Sequence, residues 1–132
     1  MRNLLPAFVI FLASVLPLKA NEAIEGVISA QIEAFLADDF DTAFTYASPM
    51  IQRLFQTPER FGVMVREGYP MVWRPSDVEF LSLETRQGAL WQDVLVRDAG
   101  GAMHILEYQM VEGEEGWLIN AVRVRKPGDG MA

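Results

Sequence analysis

DVEFLSLETRQGALWQDVLVRDAGGAMHILEYQMVEGEEGWLINAVRVRK, residues 77 to 126, is the stretch on which the fold turns. Apolar and polar residues alternate along it in four runs: Asp77 to Arg86, Ala89 to Arg97, Ala102 to Val111 and Trp117 to Lys126. A period of two marks strands half-buried against a core. The runs are separated by Gln87-Gly88, by Asp98-Ala99-Gly100-Gly101 and by Glu112-Gly113-Glu114-Glu115-Gly116. Short glycine-containing turns join neighbouring strands antiparallel, so the stretch predicts a meander.

Upstream the period becomes helical. From Asn21 to Asp39, Ile24, Val27, Ile28, Ile32, Phe35 and Leu36 recur at three- and four-residue spacing and draw one apolar stripe. Any of Asp38, Asp39 and Asp41 can then cap a short helix through Phe40, Ala43, Phe44 and Ala47. Ser48-Pro49 and Thr57-Pro58 repeat one start signal, a hydroxyl N-cap followed by proline where a helical N–H has no partner to lose. Gly68 is placed to end the second of these helices, and Met71 to Arg74 is read as a short extra strand limited by Pro75. Helices first and a meander afterwards predict an α+β fold, with N-terminal helices packed on a curved antiparallel sheet around a cone-shaped hollow.

The first twenty residues carry a different message. Met1-Arg2-Asn3 is a short positive start, Leu4 to Leu18 is uncharged and apolar, and Leu18-Lys19-Ala20 ends on a small residue. That pattern is read as a secretory signal peptide cleaved after Ala20, which places the protein in the periplasm or outside the cell. The apolar run is 15 residues long and interrupted by Pro6 and Pro17, against roughly 20 for a helical span, so no stable membrane anchor is expected after cleavage. Residues 21–126 then form a single domain of ordinary size, and residues 127–132, with Pro127, Gly128 and Gly130, a flexible tail.

Charge and composition remove several classes of function. The chain carries 11 basic against 18 acidic residues, and loss of Arg2 and Lys19 with the leader makes it more acidic still. Nucleic acid is gripped through clustered lysine and arginine, and a polybasic patch is what docks a protein on anionic lipid; neither is present. With no cysteine and one histidine, disulfides, thiol nucleophiles and multi-imidazole metal sites are excluded, and neither metal nor cofactor is expected.

Extending the turns gives a register. It sets Glu84 opposite Trp91, Phe80 opposite Leu95, Leu95 opposite His104, Trp91 opposite Tyr108 and Tyr108 opposite Asn120. One face then carries Phe80, Trp91, Asp93, Leu95, His104, Leu106, Tyr108, Asn120 and Val122, an apolar surface with a few convergent polar groups. Asp93 and His104 fall on adjacent strands of that face as a candidate catalytic pair, the carboxylate fixing the tautomer of a ring that moves protons. The plainer alternative is a histidine satisfied by one hydrogen bond, with Asp93 paired to Arg97. Trp73, Trp91, Tyr69 and Tyr108, with Asn120 and Phe80, are candidate ligand-binding residues, and plain core packing is the competing role for the aromatics. Val94, Val96, Met103 and Ile105 are assigned to the opposite face, which is expected to need a homodimer partner or a helix as cover.

The segments Ala43 to Pro49, Phe61 to Val65, Gly68 to Pro70, Trp91 to Val94 and Gly116 to Ile119 resemble those of a secreted bacterial family, domain of unknown function 4864. The likeness extends over residues 22 to 125. It implies a fold similar to nuclear transport factor 2, whose wider relatives include ketosteroid isomerase and polyketide cyclase, enzymes that use a carboxylate or a histidine within the cone. It transfers no catalytic residue to this chain. Three readings follow: an exported module binding a small apolar ligand or a partner, a small isomerase, cyclase or hydrolase built on Asp93 and His104, and a dimeric scaffold using its outer sheet face.

Overall fold

The computed structural model describes the backbone of residues 7–125 and the side chains of residues 20–125. Residues 1–6, the start of the expected leader, and the expected tail, 127–132, lie outside the described residues. Among the described residues five helices precede four strands: α1 (Ala7–Leu36), α2 (Phe40–Thr45), α3 (Pro49–Phe55), α4 (Pro58–Gly68), α5 (Pro70–Trp73), β1 (Asp77–Arg86), β2 (Ala89–Arg97), β3 (Met103–Glu112) and β4 (Trp117–Val124). The strands form one antiparallel sheet in the order β1-β2-β3-β4, the predicted meander. The sheet is curved and open, and the helices precede it in the chain, an α+β arrangement. Among the described residues no helix is long and apolar enough to cross a membrane.

The helix ends follow local chemistry. α1 stops where Asp38 takes a left-handed φ of 56°, with the Asp38 N–H on Phe35 O and the Asp39 N–H on Ala34 O, the paired bonds that close a helix C-terminus. Of the three aspartates that could start α2, Asp39 does so, accepting from the Thr42 N–H. Ser48 and Thr57 cap α3 and α4, each followed by proline, as expected from the repeated signal. Met71 to Arg74 is not a strand. Pro70 opens a short helix there instead, and Arg74 anchors its end to α1 by donating to Phe35 O and to both oxygens of Asp38. β-favouring Val72 and Trp73 are overridden by that tie.

Ile24, Ile28, Ile32 and Phe35 on the α1 stripe pack against Val94, Val96, Leu106 and Tyr108 of the central strands, all buried. This is one continuous core. α4 seats close to α2 because Gly62 lies under the Phe40 ring: a Cβ at Gly62 would stand 2.8 Å from Phe40 Cδ1. Gly62→Ala is therefore expected to destabilise by about 1 kcal/mol, a gain in helix propensity outweighed by overpacking. Gly26→Ala, in the exposed interior of α1 with nothing within 4 Å of the new Cβ, is expected to stabilise by up to about 1 kcal/mol. Urea unfolding of the two variants gives the opposite signs directly.

Register is where the sequence reading fails. Arg86 opposite Ala89 and Glu84 opposite Trp91 hold, but a bulge between Phe80 and Leu83 sets Phe80 against Val94 rather than Leu95. The Gln92 side chain, 1% exposed, crosses that bulge and donates to Leu81 O and Ser82 O. At the next turn Arg97 faces Met103, one residue from the predicted register, so Leu95 meets Ile105 and Trp91 meets Gln109. A single-residue slip inverts a whole strand. β2 consequently turns Gln92, Val94 and Val96 inward beside His104, Leu106 and Tyr108, and turns Trp91, Asp93 and Leu95 outward beside Ile105 and Glu107. Between β3 and β4 a second shift places Asn120 at a bulge, so Tyr108 faces Val122 and not Asn120.

Candidate functional site

α1, α3, α4 and α5 meet the edge strand β4 around a groove of about 390 Å³, a size within the small-molecule range. Phe35, Phe61 and Val65 form its floor side, Ile119 to Val122 its sheet wall, and Met50, Ile51, Leu54 and Phe55 its α3 wall. Among the described residues the lining contains no carboxylate, imidazole, amine or guanidinium; its polar side chains are Gln31, Tyr69 and Asn120. Such a surface can hold an apolar molecule by burial.

The sheet wall is fixed by backbone pairing. The segment between α2 and α3 runs parallel to β4: the Ile119 N–H donates to Tyr46 O and the Ser48 N–H to Ile119 O, both at 2.9 Å. Ser48 Oγ then donates to Asn120 Oδ1 at 2.7 Å, and Asn120 Nδ2 donates to Gln109 Oε1 at 2.7 Å. The bulge at Asn120 thus turns its side chain into a strut joining α3's first turn to the sheet. α3 itself contributes no buried residue. Its four apolar side chains all face the groove, and Leu54 is 67% exposed.

The outer sheet face is charged rather than apolar, because the slip in β2 put Asp93 there and Val94 and Val96 inside. Asp93, 4% exposed, accepts from Arg86 Nη2 and Arg125 Nη2, each at 2.7 Å. Arg125 also donates from Nε to Glu107 Oε2 at 2.9 Å, and Glu107 accepts from Arg123. Burial pushes the Asp93 carboxyl upward, but the hydrogen bonds and positive charge of Arg86 and Arg125 outweigh it and hold the group below the usual aspartate value. The same carboxylates raise both arginines. Trp91 lies beneath the Arg123 guanidinium, 4.0 Å from the ring centroid.

His104 is elsewhere. It sits on the inner-facing side of β3 at the β2–β3 turn, with Nε2 2.9 Å from Asp98 Oδ2. Asp98 Oδ1 accepts from the Gly100 and Ala102 N–H groups, so this aspartate closes the turn that set the register. The His104 hydrogen bond leads the interactions that lower the Asp98 carboxyl. Asp93 and His104 are therefore not a pair: they lie on opposite faces with separate partners. The alternative Asp93–Arg97 pairing does not form either, since Arg97 Nη1 donates to Gly101 O.

A family model described as domain of unknown function (DUF4864) matches residues 17–132. The chain belongs to this family. Neither the curated proteins nor the solved structures give a match to it.

In this member of the family the structure brings two of the proposed ligand-binding residues, Tyr69 and Asn120, to the groove. The other four are placed apart from it. Trp73 donates from Nε1 to Asp38 at the end of α1, Trp91 lies on the outer face, and Phe80 packs on the inner face against the core. Tyr108 is fully buried between β3 and the helices; burial raises its hydroxyl far above the usual tyrosine value, and the oxygen has no partner among the described residues. Gln31, Arg86 and Arg125 were missed. Gln31 had a signal: it occupies the same helical stripe as Ile24, Ile28 and Phe35, where a polar residue is out of place. Arg86 and Arg125 become visible only once the outer parity of β2 is known.

Proposed function

We propose that this protein is a binding module, without chemistry of its own, that takes a small apolar molecule into the groove between its helices and β4. The uncharged lining of that groove carries the reading: an apolar ligand loses nothing there, whereas charged or strongly polar molecules leave water without compensation. α3 supports it, since this helix directs Met50, Ile51, Leu54 and Phe55 at a space they do not themselves fill. The leader Met1 to Ala20 supports export, and the order of helices and meander supports a likeness to nuclear transport factor 2 in architecture.

Binding to the folded state alone must raise the melting temperature, by about 2.7 kcal/mol of stability at ligand concentrations one hundred times Kd. A panel of lipophiles is therefore expected to contain compounds that raise it. Hydrogen exchange should slow most in α3, whose apolar side chains gain cover, and little in β2 and β3. Absence of any shift across the panel, or protection spread evenly over the sheet, would refute a ligand in this groove.

A further inference from the structure

Gln31 is a buried amide on the wall of the groove, 3% exposed. Its Nε2 donates to Ala43 O at 3.2 Å, which fixes the orientation of the amide and leaves Oε1 without a hydrogen-bond partner among the described residues. No hydrogen bond among the described residues reaches it. Asn120 has its own oxygen occupied by Ser48 and its nitrogen engaged with Gln109, and the remaining surroundings are hydrocarbon and aromatic rings. Gln31 is the more enclosed of the groove's polar side chains, Tyr69 being only partly buried at the end of α4, and its Oε1 is not among the sealed, unpartnered atoms of the core. An acceptor on the wall of an apolar groove is expensive to cover with a molecule that offers it no hydrogen bond, and the groove is correspondingly selective for a donor.

We infer that the groove selects an uncharged amphiphile, a hydrocarbon or aryl body ending in a single hydroxyl or N–H donor, and that Gln31 Oε1 receives that donor. This rests on the groove being the binding site, as proposed above. The body is set by the lining, and the head by one atom. An anionic head is disfavoured twice, by the absence of any basic group in the lining and by the acceptor it would have to face. A cationic head would meet one acceptor but no carboxylate, and would lose its hydration uncompensated.

The test is competition on the full-length protein. Bound N-phenylnaphthylamine, an uncharged fluorophore, is displaced by a matched straight-chain set: decanol, decyl methyl ether, decanoate and decylammonium. Decanol is expected to bind about tenfold more tightly than its methyl ether, which has the same body and no donor, a difference of about 1.4 kcal/mol. Decanoate and decylammonium should each be weaker than decanol by at least about tenfold. In Gln31→Met, of similar length but without the acceptor, decanol and the ether should bind equally, with the ether changed by no more than about twofold. The wild-type series decides the matter should that variant fail to fold. Equal binding of alcohol and ether by the wild-type protein, or tightest binding of either ion, overturns the role of Gln31 while leaving the groove as a site. Failure of the fluorophore and all four compounds to bind overturns both.

Discussion

Asp93→Asn is expected to cost about 3–5 kcal/mol of folding stability, the usual range for removing one partner of a buried ion pair. At roughly 4 °C per kcal/mol for a chain of this size, the melting temperature should fall by about 10–20 °C. Asparagine is nearly isosteric, so lost volume is not the cause. The carboxylate now receives Arg86 and Arg125 together at 2.7 Å each. Its replacement by a neutral amide removes the one countercharge that the two guanidiniums share, leaving Arg86 only the exposed Glu84 at 3.5 Å and Arg125 only Glu107, which also serves Arg123. Asp38→Asn is the contrast. Asp38 binds Arg74 with both oxygens, yet its side chain is 54% exposed, and solvent screening keeps the expected loss small beside that of Asp93→Asn.

The pH dependence of the same variant has a definite sign. Asp93 is held below its ordinary value in the folded protein, so folding is favoured by the ionised group above the unfolded pKa of about 3.9, and that stabilisation is lost as pH falls through the folded value. The gap between wild type and Asp93→Asn should be full at neutral pH and narrow steadily below about pH 4. Urea unfolding at neutral pH and again in acid measures it. A gap that stays constant into strong acid would mean the carboxylate's charge is not what Arg86 and Arg125 require.

Local signals were legible where a residue acts on its own backbone. Ser48-Pro49 and Thr57-Pro58 fixed two helix starts because capping and a preset φ need no distant partner. Glycine turns fixed the number and order of strands. What the sequence did not reveal was parity. Nothing in Asp98 to Ala102 announces that the Asp98 side chain will accept two backbone N–H groups and lengthen the turn by one residue, yet this choice alone moved Trp91 and Asp93 to the outer face. The bulges at Leu81 and Ser82 and at Asn120 depend on tertiary hydrogen bonds from Gln92 and to Ser48, which no window of neighbouring residues contains. Most of the expected cone is filled by the α1 stripe packing on β2 and β3, and the open space lies beside β4. Tyr69 and Asn120 were found because they belong to that side.

Phe61→Ala is expected to combine a large loss of stability with a gain in ligand response. Phe61 is buried among three other aromatic rings, its centroid 5.9 Å from Phe35, 5.3 Å from Phe44 and 6.0 Å from Phe55. Truncating such a residue costs about 3–5 kcal/mol in a closed core. Phe61 also lines the groove, however, so the space it vacates joins an existing opening instead of becoming a sealed void. The loss should therefore lie near 3 kcal/mol, and an apolar ligand able to fill the vacated space, such as naphthalene, should recover part of it. Leu106→Ala separates this from general destabilisation. Leu106 is fully buried on the inner face of β3 and is not part of the groove lining; its truncation should cost about 2–5 kcal/mol with no recovery by the same ligand. Melting curves of both variants with and without naphthalene distinguish the two sites. Equal rescue, or rescue of Leu106→Ala alone, would place ligand entry in the core and not beside β4.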